Sequence, residues 1–456
     1  MMGNTGFKKI LGFITAAAII IMIIPAAVSA QYDEPSPWAE LEVFMAYTAY
    51  NIGEESTYSD FRSGVTGEKF EAVYKSIAAA FGKALIFNIE NDGYLTRGEI
   101  VAALGGLIII VQGEETAPVP TVDEALAYFI SNRLINGRAS GDYQLDSVCT
   151  VEEMILFSVR VYEHISRLTG DYSAGFLWQV HGGESIVYLF GSVHFSDGSL
   201  YPFSPAIESA FLASENLVVE INISELTEEQ LEYFMQKGII SDGTTIADYL
   251  APDIYELYAD IWQVFGVPAE IYDYFQPWLA ANELRAVAIA LGLGAELQDI
   301  QALGVDMYFM IRADAMGKNI MELETVESQI DMMASYSPEL QESQLHDVLM
   351  MFISREEDAG EEFSFAAMLA AFKSGDEEAL SVFLGAGAEP DDPLEIELLD
   401  KLLTQRDIAM AATIAELLED GDNGGYFIII GAAHFMGDES ILVLLEEMGY
   451  KIERIK

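Results

Sequence analysis

Tyr188-Leu189-Phe190-Gly191-Ser192-Val193-His194-Phe195 and Ile428-Ile429-Ile430-Gly431-Ala432-Ala433-His434-Phe435 repeat one pattern. Each is an apolar run without polar alternation that ends in Gly-x-x-His. Such a run predicts a buried strand of an α/β sheet, and the end of that strand opens into the crevice where α/β proteins bind ligands. Glycine just before the histidine lets the backbone turn or another segment come close. An imidazole placed there can hold a metal or move a proton near neutral pH. Two of the chain's 5 histidines fall in these matching contexts, which makes His194 and His434 candidates for one shared site.

Outward from these runs, Phe176–Val180 and Ser185–Phe190 flank His181-Gly182-Gly183 and predict a hairpin. Leu217–Ile221 predicts a further strand, expected beside the first histidine strand. Residues 225–420 carry Leu, Met, Ala and Glu at helical spacing. An apolar strand over Tyr426–Ile430, a helix from Ser440 to Met448 and a strand over Lys451–Ile455 close the chain. Strands at both ends of a helical middle predict an α/β domain, a mixed sheet with a large helical insertion, spanning residues 176–456.

Glu220 ends the apolar run Asn216-Leu217-Val218-Val219. A carboxylate in a buried strand is costly unless it is paired or bound to metal, so it joins the two histidines as a candidate; an edge strand with Glu220 in water is the alternative. Arg406 is one of few cations in an acidic segment. It would clamp a substrate carboxylate, stabilise an oxyanion or hold Glu220, or else form a helix-surface pair with Glu397 or Asp400.

Residues 31–168 read differently, as a smaller, mostly α-helical domain with weak internal copies. Val65-Thr66-Gly67-Glu68, Tyr94-Leu95-Thr96-Arg97-Gly98-Glu99 and Cys149-Thr150-Val151-Glu152-Glu153 each start a helix, and Thr96 with Glu99 and Thr150 with Glu153 have capping-box spacing. These copies resemble S-layer homology repeats, although only Thr96-Arg97-Gly98-Glu99 reproduces the Thr-Arg-x-Glu helix start. The resemblance implies attachment to cell-wall polysaccharide.

Ahead of them, Lys8 and Lys9, the apolar run Ile10–Ile24, Pro25 and the small residues Ala26 to Ala30 have the order of a secretory signal peptide over residues 1–30. A secreted or cell-surface protein is expected, with membrane attachment only if that segment stays uncleaved. The net charge of −52 repels nucleic acid. A single cysteine, Cys149, rules out an intrachain disulfide and multi-cysteine metal sites.

In the second segment, Phe176-Leu177-Trp178-Gln179-Val180 and the first Gly-x-x-His are followed by Leu217-Val218-Val219-Glu220, Pro277-Trp278 and Gly304-Val305-Asp306. Leu323-Glu324-Thr325, Arg406-Asp407 and the second Gly-x-x-His complete the series. This ordered set is similar to the TraB/GumN family, which includes the Tiki proteases and is distantly related to erythromycin esterases. The resemblance implies a hydrolase that uses a divalent metal, Mn²⁺, Co²⁺ or Zn²⁺, with His194, His434 and Glu220 as ligands, Glu220 as ligand or base, and a peptide or similar acyl substrate. Asp407 stands where many members have Asn. A metal-free esterase-like hydrolase and a surface protein that sequesters a peptide or metal without turnover are the rival readings.

Overall fold

The computed structural model describes residues 34–54, 57–83, 93–113, 119–137, 141–223, 226–353, 364–384, 390–421 and 424–456; the expected signal segment lies outside them. Six strands form one sheet: β1 (Leu177–His181), β2 (Val187–Ser192), β3 (Asn216–Val219), β4 (Asn319–Glu322), β5 (Tyr426–Gly431) and β6 (Lys451–Ile455), in the order β4-β3-β5-β2-β1-β6. The strands β4, β3, β5 and β2 run parallel, while β1 pairs antiparallel with both β2 and β6. The sheet is therefore mixed, and the helices between β3 and β5 form the large insertion read from the sequence.

Burial explains the arrangement. All of β3 and most of β2 and β5 are inaccessible to water, which suits strands covered on both faces. The aromatic cluster Phe190, Phe211, Phe309 and Phe427 packs at the sheet centre with ring centroids 4.9–5.7 Å apart. Two expectations need correction. The Glu220 strand β3 pairs with β5 and β4, so it neighbours the second histidine strand and not the first. The segment 225–420 also contains β4, a four-residue edge strand whose exposed and half-exposed residues give no apolar signal.

The contact pattern divides the chain into two units. One comprises residues 173–197 and 205–456; the other joins the described residues up to 172 with 198–204. In the latter unit, Val65 N–H donates to the Cys149 carbonyl, Cys149 N–H to Leu95 and Leu95 N–H to Val65, at 2.8–3.0 Å. This closed ring joins the residues just before Thr66, Thr96 and Thr150, each of which caps its helix through its side chain. Arg97 is buried, pairs with Glu153, donates to the Tyr143 carbonyl and lies over the Phe157 ring. Its guanidinium is thus committed to the unit's own core. Among the described residues no helix is long and apolar enough to cross a membrane.

Candidate active site

The carboxyl ends of the four parallel strands deliver four side chains to one place. His194 lies two residues beyond β2, Glu220 directly follows β3, Glu324 lies two residues beyond β4, and His434 lies in a 3-10 turn, Ala432–Phe435, that follows β5. The backbone ladder continues past β3 and β4, where Glu324 N–H donates to the Glu220 carbonyl at 2.9 Å. His194, Glu220, Arg406 and His434 all line one pocket. Sequence reasoning named these four, and the structure brings them together.

Gly431 explains why the motif needs glycine. Its φ of −48° is open to any residue, so the requirement is space. A Cβ there would stand 3.2 Å from Glu220 Oε1, 3.6 Å from the His434 ring and 3.9 Å from His194 Nε2. Glu220 Oε1 instead accepts the Gly431 N–H at 2.6 Å. Gly304 does the equivalent work for the other histidine, because a Cβ there would run into the His194 carbonyl oxygen. The start of the helix Val305–Ala315 can therefore lie against His194, and Asp306 reaches its ring.

Both imidazoles are backed by carboxylates. His194 Nδ1 is 2.9 Å from Asp306 Oδ2, and Ser192 Oγ donates to Asp306 Oδ1 at 2.8 Å. His434 Nδ1 is 2.5 Å from Asp407 Oδ1. A carboxylate at Nδ1 orients the ring and turns Nε2 toward the pocket. At His434 the tautomer is fixed as well: Arg406 Nη1, which can only donate, lies 3.2 Å from Nε2, so Nδ1 carries the proton and Nε2 the lone pair. His194 Nε2 is buried without a hydrogen-bond partner among the described residues.

Arg406 follows a π-helical turn, Asp400–Thr404, at the start of the helix Gln405–Leu418. Every N–H of its guanidinium finds an acceptor. Nε donates to Glu324, Nη1 to the Leu402 carbonyl and His434, and Nη2 to Glu220 and Glu324 at 2.5 Å each. Two carboxylates and an imidazole lone pair thus share one buried cation, which is how buried charge is tolerated. The helix-surface pairing with Glu397 or Asp400 is not found; Glu397 takes Lys401 and Ser337, and Asp400 takes Gln405.

The charges follow from this packing. Burial opposes ionisation of Glu220, yet the Arg406 guanidinium, with His194 and the Gly431 N–H, outweighs it and holds the carboxyl well below the usual carboxylate range. Burial also disfavours the His194 cation, but the Asp306 carboxylate overcomes that and raises the ring to about 9. For Asp407 burial wins over the neighbouring His434 and Arg406, and its carboxyl is raised.

A family model described as TraB/PrgY/gumN matches residues 176–454, the stretch that holds the sheet and all of these side chains. The chain belongs to this family. Among curated relatives, it is similar to "Metalloprotease TIKI1" of Homo sapiens, 24% identical over 312 residues covering 61% of each chain. It is also similar to "Metalloprotease TIKI2" of Danio rerio, 24% identical over 320 residues that cover 61% of this chain and 60% of the relative. The "Metalloprotease TIKI2" of Xenopus tropicalis is 23% identical over 312 residues. The chain thus spans about three-fifths of the length of the relatives it matches. No solved structure matches it.

A family site with named metalloprotease relatives raises the question of metal. Among the described residues no three His, Cys, Asp or Glu side chains converge as a ready ligand cluster, and Arg406 holds Glu220 and the lone pair of His434. The donor chemistry nevertheless fits: two carboxylate-backed imidazoles, one with a buried and unpartnered Nε2, flank a buried carboxylate. Occupation would require Arg406 Nη1 to give up His434, while its bonds to Leu402 and the two glutamates could persist.

Sequence reasoning gave no role to Asp306, Asp407, Glu324 or Ser192, although all four stand in the family's motifs. Asp306 and Asp407 look like ordinary acids in a first helical turn, where the helix dipole already accounts for them. The signal that could have found them is their position beside Gly304 and Arg406 in those motifs.

Proposed function

We propose that the domain of residues 176–456 is a metal-dependent hydrolase of a peptide or similar acyl bond. The observation that carries the proposal is the unpartnered, buried His194 Nε2 directed into the same pocket as His434 and Glu220. The metalloprotease names of the relatives support it. His194, His434 and Glu220 would hold Mn²⁺, Co²⁺ or Zn²⁺. When bound, such an ion lowers the pKa of a water molecule and polarises the scissile carbonyl.

The chain's own residues do the rest. Asp306 and Asp407 fix the two imidazoles. Arg406 and the Gly431 N–H orient Glu220, which receives the proton of the attacking water. Water oxygen joins the acyl carbon, the bond to the leaving amine or alcohol breaks, and that leaving group departs with the proton. With all its N–H groups engaged, Arg406 acts by positioning Glu220 and balancing charge, not by contacting substrate.

Glu220→Gln tests this assignment. It keeps an oxygen donor but cannot accept the proton, so hydrolysis should fall about 10²-fold or more while elemental analysis still finds metal. Loss of metal together with activity would make Glu220 a ligand alone, and activity near wild type would overturn its role. A second reading rests on the His434–Asp407 pair, whose lone-pair Nε2 is the arrangement of a general base. Activity that survives a chelator would favour this esterase-like route.

Export is proposed from residues 1–30 alone and is tested by amino-terminal sequencing of the mature protein, which should begin after Ala30. Retention at the cell wall by the unit before residue 173 is the accompanying proposal. Sedimentation of the full chain with purified wall polysaccharide should succeed, and its failure would discard the idea.

A further inference from the structure

The lining of the pocket is of two kinds. His194, Glu220, Arg406 and His434 are polar or charged; Phe365 and Met368 of the helix Phe365–Ser374, Leu380 and Leu384 of the helix Glu377–Leu384, and Leu402 are apolar. This apolar set, the wall of the subsite, has no hydrogen-bonding side chain and no charge. Glu220 is the one carboxylate among the pocket's lining residues, and it is committed to Arg406 and Gly431.

These five side chains are 0–8% exposed, so the helices that carry them are anchored in the unit. Gly375, with φ +68°, reverses the chain between the two helices. Residues from both helices line the same pocket as His194 and Glu220.

We propose that this wall is a specificity subsite that takes an apolar side chain, such as Leu, Met or Phe, next to the bond to be cleaved. The inference rests on the hydrolase reading for the identity of the ligand, while the apolar character of the subsite is a property of the wall. A charged side chain seated there would lose its water and gain no partner. Each methylene that fits an apolar pocket changes the rate by about 10- to 200-fold.

The test uses the full chain without residues 1–30. Internally quenched peptides of one sequence, varied only at the residues flanking the scissile bond, are assayed with Mn²⁺, Co²⁺ and Zn²⁺. Leu, Met and Phe peptides should exceed Asp and Lys peptides by about 10-fold or more in kcat/KM. Leu384→Lys should lower the Leu-to-Asp ratio by a similar factor. Equal rates for all peptides, or a preference for a charged residue in wild type, would overturn the subsite.

If no peptide is cleaved with any metal, the hydrolase reading fails, and a binding measurement decides the subsite separately. The Met368 methyl signal, identified by its loss in Met368→Leu, should shift in NMR spectra on titration with N-acetyl-leucinamide and not with N-acetyl-aspartamide. No shift, or equal shifts with both, overturns the inference.

Discussion

The two Gly-x-x-His arms share a strand, a glycine and a carboxylate-backed imidazole, yet they are held differently. His434 is 4% exposed, its Nδ1 faces Asp407 and its Nε2 is taken by Arg406. The His194 side chain is 30% exposed, its Nδ1 faces Asp306 and its Nε2 has no partner. One arm is built into the charge network of Arg406, Glu220 and Glu324; the other stands beside it with an open valence. The difference teaches that the motif supplies a position, and the elements packed against it decide whether the imidazole is already engaged.

The strongest way to break the comparison is to remove the cation on the His434 side. Arg406→Met leaves Glu220 and Glu324 buried without their partner and should cost about 3–5 kcal/mol of stability. The melting temperature of the unit carrying residues 205–456 should fall accordingly. A loss below about 1 kcal/mol would mean that the guanidinium is not the centre of that network. Arg406→Lys retains the charge but not the fork of donors and should recover only part of the loss.

Much of the site was legible because it rests on local signals. The runs Tyr188–Phe190 and Ile428–Ile430 are apolar without alternation, and Glu220 is conspicuous as a carboxylate at the end of another such run. The partners of these residues were not legible, for reasons that can be named. Strand order in a parallel sheet is set by crossovers through the helical insertion, so nothing within residues 216–221 says that β5 is their neighbour. The strand β4 is four residues long at an exposed edge and lacks an apolar face. Asp306 and Asp407 occupy first helical turns, where an acid is ordinary. Arg406 offered two readings, and the widened turn Asp400–Thr404 that precedes its helix leaves no mark in the sequence.

A second prediction sharpens the comparison on the His194 side. In metal-stripped protein, His194 titrates near 9 in the native state against 6.5 for the unstructured ring, so the native state holds the proton more tightly. The sign follows from linkage: the stabilisation from the His194–Asp306 pair is complete below about pH 6.5 and is lost as pH rises through about 9. Partial exposure reduces its size to about 1–2 kcal/mol. Asp306→Asn should therefore destabilise the protein at pH 6 and leave it nearly unchanged at pH 10. An equal loss at both values would show that the carboxylate acts by packing and not by charge.

The smallest expected effect separates the two glycines themselves. In Gly431→Ala the new Cβ would meet Glu220 Oε1 at 3.2 Å, and that oxygen is already held 2.6 Å from the Gly431 N–H. The carboxylate must withdraw by a few tenths of an ångström, which shifts the group proposed to receive the proton. In Gly191→Ala the new Cβ would meet Cβ atoms of Ala432 and Phe176, also at 3.2 Å, and neither carries a polar or charged side chain of the site. Both substitutions should cost about 1 kcal/mol of stability, since each overpacks a closed environment by one methyl. Only Gly431→Ala should also lower kcat, by about 10-fold, because misplacing a reacting group by a fraction of an ångström is expensive in rate. Equal losses of kcat in the two variants would reduce the glycine of each motif to a packing residue, and the two arms would then differ only in their partners.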